Sequence, residues 1–372
     1  QIPERGSVGM SDLGNMAYLA LPLIGEGYVE FHGEILPAGE ALNRCGLSPV
    51  QLGPKDGLPL VSSNAFSVAK AALLCEDTDA LLHMADAVYA TGYEALGYNP
   101  MFLDTRGISI RPMEGHRQSL TYVHSCLNGS KLWNSGNESL AGALSYKSGC
   151  SIHGAVWDSL HYIQTLLPAY INSSDDCPAV LTREKEIIST DHFIVTGLAI
   201  AFEMLDIALA HLSKTICNRI LRLDNEHFSG LPRFLRPERE IIAYSTIQKT
   251  VSALDGEIRH LANPASLDYL PTANESEDHG CNTPYVMGKT EKIVDLLRYL
   301  IGIEAMHSAQ AADLAGGRPS GRGTGYIYDA VRQAIPFLED DDRDLGADMQ
   351  RAYQLVLEEK LLYQEEPSYA EG

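Results

Sequence analysis

The sequence predicts an all-α fold, a bundle built around very long central helices. One apolar stripe at helical spacing runs through residues 198–216, and alternating strand patterns are scarce across the 372 residues. The stripe residues are separated by four or three positions: Leu198, Phe202, Leu205, Leu209, Leu212 and Ile216. Alanine and isoleucine fill many positions between them, so this helix is apolar nearly all round, as expected at the centre of a bundle.

The other elements follow from the same periodicity, taken in chain order. A short hairpin is expected within 27–42, which gives a small hairpin- and loop-rich portion near the N-terminus. The central helix is predicted to extend over 182–223. Further helices are predicted at Ala65–Leu96, Trp157–Leu167, Thr290–Leu314 and Asp348–Tyr363. Loops are predicted at 96–107, 127–139, 261–280 and 316–325, the last a flexible glycine-rich connector. With no repeat and no linker, residues 1–372 are predicted to form one helical domain.

Composition excludes several classes of partner. The formal net charge of −21 disfavours nucleic acid and anionic membrane surfaces, which need clustered Lys and Arg. Seven cysteines without a Cys-x-x-Cys pair indicate reduced thiols in a cytoplasmic protein, with neither a disulfide framework nor a metal site. No uninterrupted apolar run reaches the roughly 18 residues of a membrane span, and no signal peptide is recognisable.

Several stretches, taken together and in order, resemble one known family. They are Gly6-Ser7-Val8-Gly9, Asp12-Leu13, AYLALPLIGEG (17–27), LGPKDGLPLV (52–61), Asn172-Ser173 with Asp176 and Pro178, SGLPRFL (229–235), NPASLDYLPT (263–272) and EDH (277–279). This set resembles the aromatic amino acid ammonia-lyase and aminomutase family over most of the chain. The resemblance implies the long helical bundle of that superfamily and a homotetramer. It also implies an ammonia-lyase or 2,3-aminomutase that acts on a small-molecule substrate, an aromatic L-amino acid.

The resemblance also implies an electrophile made from the backbone. In the family an internal Ala-Ser-Gly cyclises into a methylidene-imidazolone when the glycine nitrogen attacks the carbonyl two residues back, with no external cofactor. The matching residues here are Met10, Ser11 and Asp12, and the usual glycine is absent. Two interpretations stay open: the electrophile does not form, or the letters at 10–11 stand for a modified residue.

Further site residues are implied by position in the family motifs. Glu277 is the expected catalytic glutamate, and five residues are expected to bind substrate: Ser62, Asn64, Lys147, His192 and Phe193. The family's Gln-x-x-Tyr-x-x-Arg motif falls on Ala141, Leu144 and Lys147, so a lysine takes the place of the arginine that would hold a carboxylate. Each residue also has a structural interpretation: a helix cap for Ser11, a structural histidine for His192, and solvated charges for Lys147 and Glu277.

Two hypotheses of different class follow. The first is the electrophile-dependent lyase or aminomutase. The family segment that carries its tyrosine base has no counterpart in this chain, so we expect a separate small subunit, a proteolysed chain or a truncation. The second is a catalytically degenerate homologue that serves as a structural or regulatory subunit of a hetero-oligomer. A third option, electrophile-free chemistry in the same pocket, also stays open.

Overall fold

A computed structural model describes residues 2–3, 5–140, 142–237, 240–339 and 341–364. The chain is mostly helical, which confirms the all-α prediction. The helices are α1 (Leu13–Ala20), α2 (Ala38–Arg44), α3 (Gly57–Val61), α4 (Ala65–Ala95), α5 (Glu114–Cys126), α6 (Leu144–Lys147), α7 (Gly149–Ile171), α8 (Thr196–Leu223), α9 (Glu226–Ser229), α10 (Ile247–Leu261), α11 (Thr283–Ala315), α12 (Arg322–Ala334) and α13 (Leu345–Leu357). Short 3-10 turns span Leu21–Ile24, Pro100–Leu103, Thr105–Ser109, Lys131–Asn134, Arg233–Leu235 and Ala243–Thr246.

The chain divides into two compact units. The first comprises residues 1–75, 162–204 and 263–291, and the second comprises 76–161, 205–262 and 292–372. Four of the five boundaries fall within helices, in α4, α7, α8 and α11, and the fifth, between residues 262 and 263, follows the end of α10. The single-domain interpretation of residues 1–372 stays a prediction.

Two small hairpins belong to the first unit. Strands β1 (Tyr28–Phe31) and β2 (Glu34–Pro37) pair antiparallel, which confirms the hairpin expected within 27–42. Strands β3 (Ala179–Leu181) and β4 (Glu186–Ile188) form a second antiparallel hairpin that the sequence analysis missed. The predicted extension of the central helix back to residue 182 is therefore wrong. Backbone hydrogen bonds of residues 179–188 are made across a hairpin, and α8 begins only at Thr196.

The central stripe is fully buried, as its spacing requires. All six stripe residues of α8 are inaccessible to solvent. The helix is 28 residues long, and α4 and α11 are longer still, at 31 and 33 residues. Helix α11 begins at Thr283, seven residues before the predicted start at Thr290.

A fully buried charged network lies in the core of the second unit. Asp86 accepts hydrogen bonds from Ser119 Oγ at 2.7 Å and from Trp157 Nε1 at 3.2 Å, and its Oδ1 lies 2.7 Å from His153 Nδ1. On the other side of the His153 ring, Arg219 NH1 lies 3.1 Å from Nε2. Since guanidinium can only donate, Nε2 accepts, and His153 is the neutral tautomer with its proton on Nδ1.

The same guanidinium forms an ion pair with a second buried carboxylate. Arg219 binds Glu304 through both Nε and NH2, and the second contact is 2.9 Å long. Its carbon also lies 5.0 Å from the centre of the Tyr89 ring. Arg219 therefore pairs directly with Glu304 and is linked to Asp86 through the His153 ring, in a region closed to water.

The glycine-rich stretch 316–325 is an anchored loop and helix start, so its interpretation as a flexible connector is wrong. The Glu94 carboxylate accepts hydrogen bonds from the backbone nitrogens of Ser320 and Gly321 and from the hydroxyl of Thr324. Helix α12 begins at Arg322, within the predicted loop. A carboxylate at the N-terminus of a helix satisfies free N–H groups there, which the sequence pattern alone does not reveal.

All seven cysteines are free thiols.

Two helical stretches, Gly57–Ala95 and Thr196–Leu223, are long and apolar enough to cross a membrane by length and composition alone. Core helices share this property, and 56% of the apolar window in α8 is buried inside the protein. The absence of a membrane partner stays a prediction.

Candidate active site

The turn at the start of the chain is fixed between other segments of the first unit. Gly9 has a φ of 80°, and a Cβ at this position would lie 2.7 Å from the backbone nitrogen of Thr283. Only glycine fits both the conformation and the space. Met10 forms an isolated bridge with Ile194, and the buried Cys281 thiol donates to the Gly9 carbonyl at 3.2 Å. The loop is therefore held in the interior of the first unit.

Ser11 lies where the family resemblance expects the reactive serine. Its backbone adopts a left-handed conformation with φ of 56°, and its nitrogen donates to the Phe193 carbonyl at 3.1 Å. Its Oγ lies 3.2 Å from Ser62 Oγ. Asn64 Nδ2 donates to the same Phe193 carbonyl at 3.1 Å. Four predicted site residues from three separate segments thus meet: Ser11, Ser62, Asn64 and Phe193.

The paired hydroxyls of Ser11 and Ser62 carry two hydrogens, and only one is needed for the bond between them. The second hydrogen is available to a ligand. Ser11 itself is only 5% exposed, and Ser62 is half-buried beside it, so Ser62 offers the more open of the two oxygens. The pair can therefore donate one hydrogen bond to a carboxylate or carbonyl oxygen.

Asp12 is anchored on both its backbone and its side chain. Its nitrogen donates to the Ser63 carbonyl at 2.8 Å. Its buried carboxylate accepts hydrogen bonds from the Ser67 backbone nitrogen at 2.8 Å and from Ser67 Oγ at 3.1 Å. Burial raises the pKa of the Asp12 carboxyl, and the hydrogen bonds from Ser67 and Ser7 oppose part of that rise. This carboxylate satisfies one free N–H group, that of Ser67, in the first turn of α4.

Glu277 lies on a neighbouring loop that contacts Met10. The Tyr269 hydroxyl lies 3.8 Å from Met10 Sδ and donates to the Glu277 carbonyl at 3.0 Å. The Thr272 hydroxyl donates to Glu277 Oε2 at 2.8 Å, which orients an exposed carboxylate. The predicted glutamate is therefore linked to the Met10–Ser11 loop through Tyr269.

The remaining predicted positions are His192, Lys147 and Ala141. His192 is exposed, and its Nδ1 is 3.2 Å from the Ser174 carbonyl, which fits a surface residue fixed to the chain beside it. Lys147 belongs to the second unit, where its ammonium lies 4.7 Å from the centre of the Phe102 ring. Ala141 lies outside the described residues.

A family profile described as aromatic amino acid lyase matches residues 1–333. The chain belongs to the aromatic amino acid lyase family. It is 35% identical over 367 residues to the histidine ammonia-lyase of Gloeobacter violaceus, with 97% of this chain and 71% of that protein covered. The family resemblance drawn from the motifs is confirmed, and the chain's relatives are carbon–nitrogen lyases.

Solved structures of this lyase family agree with the fold. The ergothioneine-degrading enzyme ergothionase from Treponema denticola superposes with a TM-score of 0.94 at 37% identity, with 98% of this chain and 73% of that chain covered. A tyrosine aminomutase from Streptomyces globisporus superposes with a TM-score of 0.90 at 26% identity, with 97% and 72% covered. The long helical architecture is therefore that of the lyase family.

Sequence reasoning missed three residues at this member's candidate site. Asp175 accepts from the Asn64 nitrogen at 2.7 Å, Ser67 holds Asp12, and Tyr269 links Met10 to Glu277. Asp175 lies next to Asp176 within one of the family stretches, so its place in that motif was a signal that could have identified it. Tyr269 likewise lies within NPASLDYLPT, but nothing local to that stretch indicates its contact with Met10.

Proposed function

We propose that this member of the lyase family eliminates a tertiary amine from the quaternary ammonium derivative of an aromatic amino acid, without a backbone electrophile. The observation that carries the proposal is the position of Asp12, whose nitrogen bonds Ser63 and whose carboxylate bonds Ser67. Ring closure would need this nitrogen to leave Ser63 and attack the Met10 carbonyl carbon. It would also have to do so from a residue far bulkier than glycine. The residues present do not fit a methylidene-imidazolone.

The chemistry of the leaving group supports a quaternary substrate. A primary amine gains from an electrophile because its nitrogen lone pair can add to one and leave more readily. A trimethylammonium nitrogen has no lone pair to add, and it departs as neutral trimethylamine without further activation. The Glu277 carboxylate, which the Thr272 hydroxyl orients, serves as the base in this proposal. It removes the proton β to the substrate carboxylate, the C–H electrons form the double bond, and the C–N electrons leave with trimethylamine. The products are a conjugated acrylate, trimethylamine and a protonated base.

Similarity to ergothionase supports the same substrate class. That enzyme is described as degrading ergothioneine, which is the trimethylammonium betaine of a sulfur-substituted histidine. Ergothioneine combines an aromatic imidazole ring with a quaternary leaving group, so it meets both requirements. In this proposal the free hydroxyl hydrogen of the Ser11–Ser62 pair donates to the substrate carboxylate.

The electrophile-dependent hypothesis retains one supporting feature. Ser11 and the Gly6–Gly9 turn before it are kept, and Ser11 lies beside Ser62, Asn64 and Phe193 as the family resemblance implies. The hypothesis of a non-catalytic subunit is supported by the substitutions at the family's Gly, Asn and Arg positions. We also propose, from the resemblance alone, that the protein forms a homo-oligomer and that a separate small subunit supplies the missing segment.

An amine-release assay separates these functions. The purified protein is incubated with ergothioneine, with histidine and with the trimethyl betaine of histidine, and trimethylamine and ammonia are each quantified. We expect trimethylamine from at least one betaine and no ammonia from histidine. Ammonia from histidine would contradict the proposal and favour the electrophile. No amine from any substrate would favour the non-catalytic subunit.

A further inference from the structure

A cavity of 540 Å³ lies in the first unit, and Ser62 is part of its wall. The same hydroxyl bonds Ser11 at 3.2 Å, so the cavity adjoins the candidate active site. Its wall also includes apolar side chains from the first turns of α4, an aromatic ring at the end of α7, and two carboxylates. The lining residues used below are Val68, Ala69, Tyr170, Asp175 and Asp176.

We propose that this cavity is the subsite for the quaternary ammonium group of the substrate. The inference rests on the proposed function and names the place where its leaving group binds. A trimethylammonium group has no N–H to donate, so it is recognised by apolar and aromatic surfaces together with nearby negative charge. The cavity supplies each of these.

The negative charge comes from two carboxylates that are only partly neutralised. Asp175 receives hydrogen bonds from the Asn64 nitrogen and the Ser63 hydroxyl, both on Oδ2. Asp176 forms an ion pair with Lys55, and its Oδ1 is buried with no hydrogen-bond partner in the described chain. Two carboxylates and one ammonium leave one net negative charge at the wall.

The remaining wall combines apolar side chains with the hydroxyl-bearing side chains of Ser63, Ser173 and Ser174. Val68 is buried and Ala69 is exposed on the first turns of α4, and both present only methyl groups. Tyr170 contributes an aromatic ring at the end of α7. A primary ammonium would instead need several acceptors in hydrogen-bonding directions around one nitrogen. The wall therefore suits a bulky, weakly hydrated cation.

A matched pair of probes separates charge from shape. Choline and its neutral isostere 3,3-dimethylbutan-1-ol have the same outline and differ in the charge of the head group. Isothermal titration calorimetry should show choline binding to the wild-type protein about 10-fold more tightly than the isostere. Equal affinity for the two probes would overturn the assignment.

Three variants locate the binding. Asp175→Asn should weaken choline about 10-fold and leave the isostere unchanged, since only charge is removed. Ala69→Leu at an exposed position fills the cavity and should weaken both probes. Glu184→Gln, the same charge change on the exposed β3–β4 turn, should change neither. Circular dichroism melting checks that each variant is folded. Unchanged choline binding in the folded Ala69→Leu variant would overturn the proposal even if Asp175→Asn fails to fold.

The amine-release assay distinguishes failure of this inference from failure of the proposed function. If trimethylamine is released from ergothioneine but choline does not compete and Ala69→Leu turns over normally, the function stands and the subsite is wrong. If choline binds with the predicted dependence on Asp175 but no trimethylamine is released, the cation subsite stands and the proposed reaction is wrong.

Discussion

The backbone nitrogen of Asp12 donates a 2.8 Å hydrogen bond to the carbonyl oxygen of Ser63. This bond joins the loop of Ser11 to the segment that carries Ser62 and Asn64. The hydrogen bond engages the Asp12 nitrogen, the atom that would have to attack the Met10 carbonyl carbon to create the family's electrophile. In the proposed function, this bond keeps the family's loop in place without ring closure.

The side chain of Asp12 should contribute to stability through Ser67. Asp12→Ala leaves the Ser67 nitrogen and hydroxyl without their buried acceptor, so the free energy of unfolding should fall by about 1–3 kcal/mol. Asp12→Asn keeps one carbonyl oxygen as an acceptor, so its free energy of unfolding should fall by less. Urea unfolding measures both, and equal losses in the two variants would contradict the role of the acceptor.

The raised pKa of Asp12 predicts a pH dependence. Because the folded-state pKa lies above the ordinary aspartate value of about 3.9, the folded protein holds the proton more tightly than the unfolded chain. The stability due to this proton is present at low pH and is lost as pH rises through the folded-state pKa. The stability of the wild type relative to Asp12→Asn should therefore decline from about pH 4 upward. If the stability of the wild type relative to Asp12→Asn instead increases with pH, burial does not raise the pKa of Asp12.

Gly9 and Gly33 provide a matched test of the buried loop. Both have positive φ, 80° and 84°, but only Gly9 lacks room for a Cβ. Gly33→Ala should cost about 1–2 kcal/mol from its conformation alone. Gly9→Ala should cost a further 1–3 kcal/mol or so from the clash with Thr283, and it should lower activity. Thermal or urea unfolding of the two variants gives the comparison. Equal costs would mean that the loop is not held against Thr283.

Ser62 should affect turnover more than folding. Ser62→Ala removes the hydroxyl that bonds Ser11 and that, in the proposed function, donates to the substrate carboxylate, so kcat/KM for the trimethyl betaine should fall by about 10-fold. The exposed Ser48→Ala serves as the control and should retain full activity. The release of trimethylamine is the readout. If Ser62→Ala has the same kcat/KM as the wild type, the Ser62 hydroxyl has no part in the mechanism.

The buried pair Arg219–Glu304 should show strong coupling. Arg219→Met alone leaves Glu304 charged in a water-free core and should destabilise the protein by about 3–5 kcal/mol. The double variant with Glu304→Leu should recover much of this loss. The exposed pair Arg106–Asp104 is the control, and Arg106→Met should leave the free energy of unfolding unchanged. Additive losses at Arg219 and Glu304 in denaturant unfolding would contradict the coupling.

Periodicity predicted the buried face of α8 correctly, because the spacing of the six apolar residues places them all on one face of a helix. It did not predict where α8 begins, since nothing in residues 182–195 breaks a helix as Gly or Pro would, and the competing hairpin depends on pairing between β3 and β4. The loop at 316–325 was mistaken for a flexible connector because its partner, Glu94, lies more than 200 residues away in sequence.

Part of the candidate site could be predicted because its residues occupy positions in the family motifs. Ser11, Ser62, Asn64 and Phe193 were each identified from such motifs and meet in the structure. Asp175 and Tyr269 were missed as site residues because their significance depends on contacts with Asn64 and Met10, which sequence spacing does not encode. Lys147 is expected from the motif alone, and its role in binding a carboxylate stays a prediction.

The most direct test of the central claim is the mass of the peptide that contains Met10, Ser11 and Asp12, measured after denaturation and proteolysis of the purified protein. The account predicts the mass of the unmodified residues, since the Asp12 nitrogen remains bonded to Ser63 and no ring forms. A peptide lighter by two water molecules would contradict it.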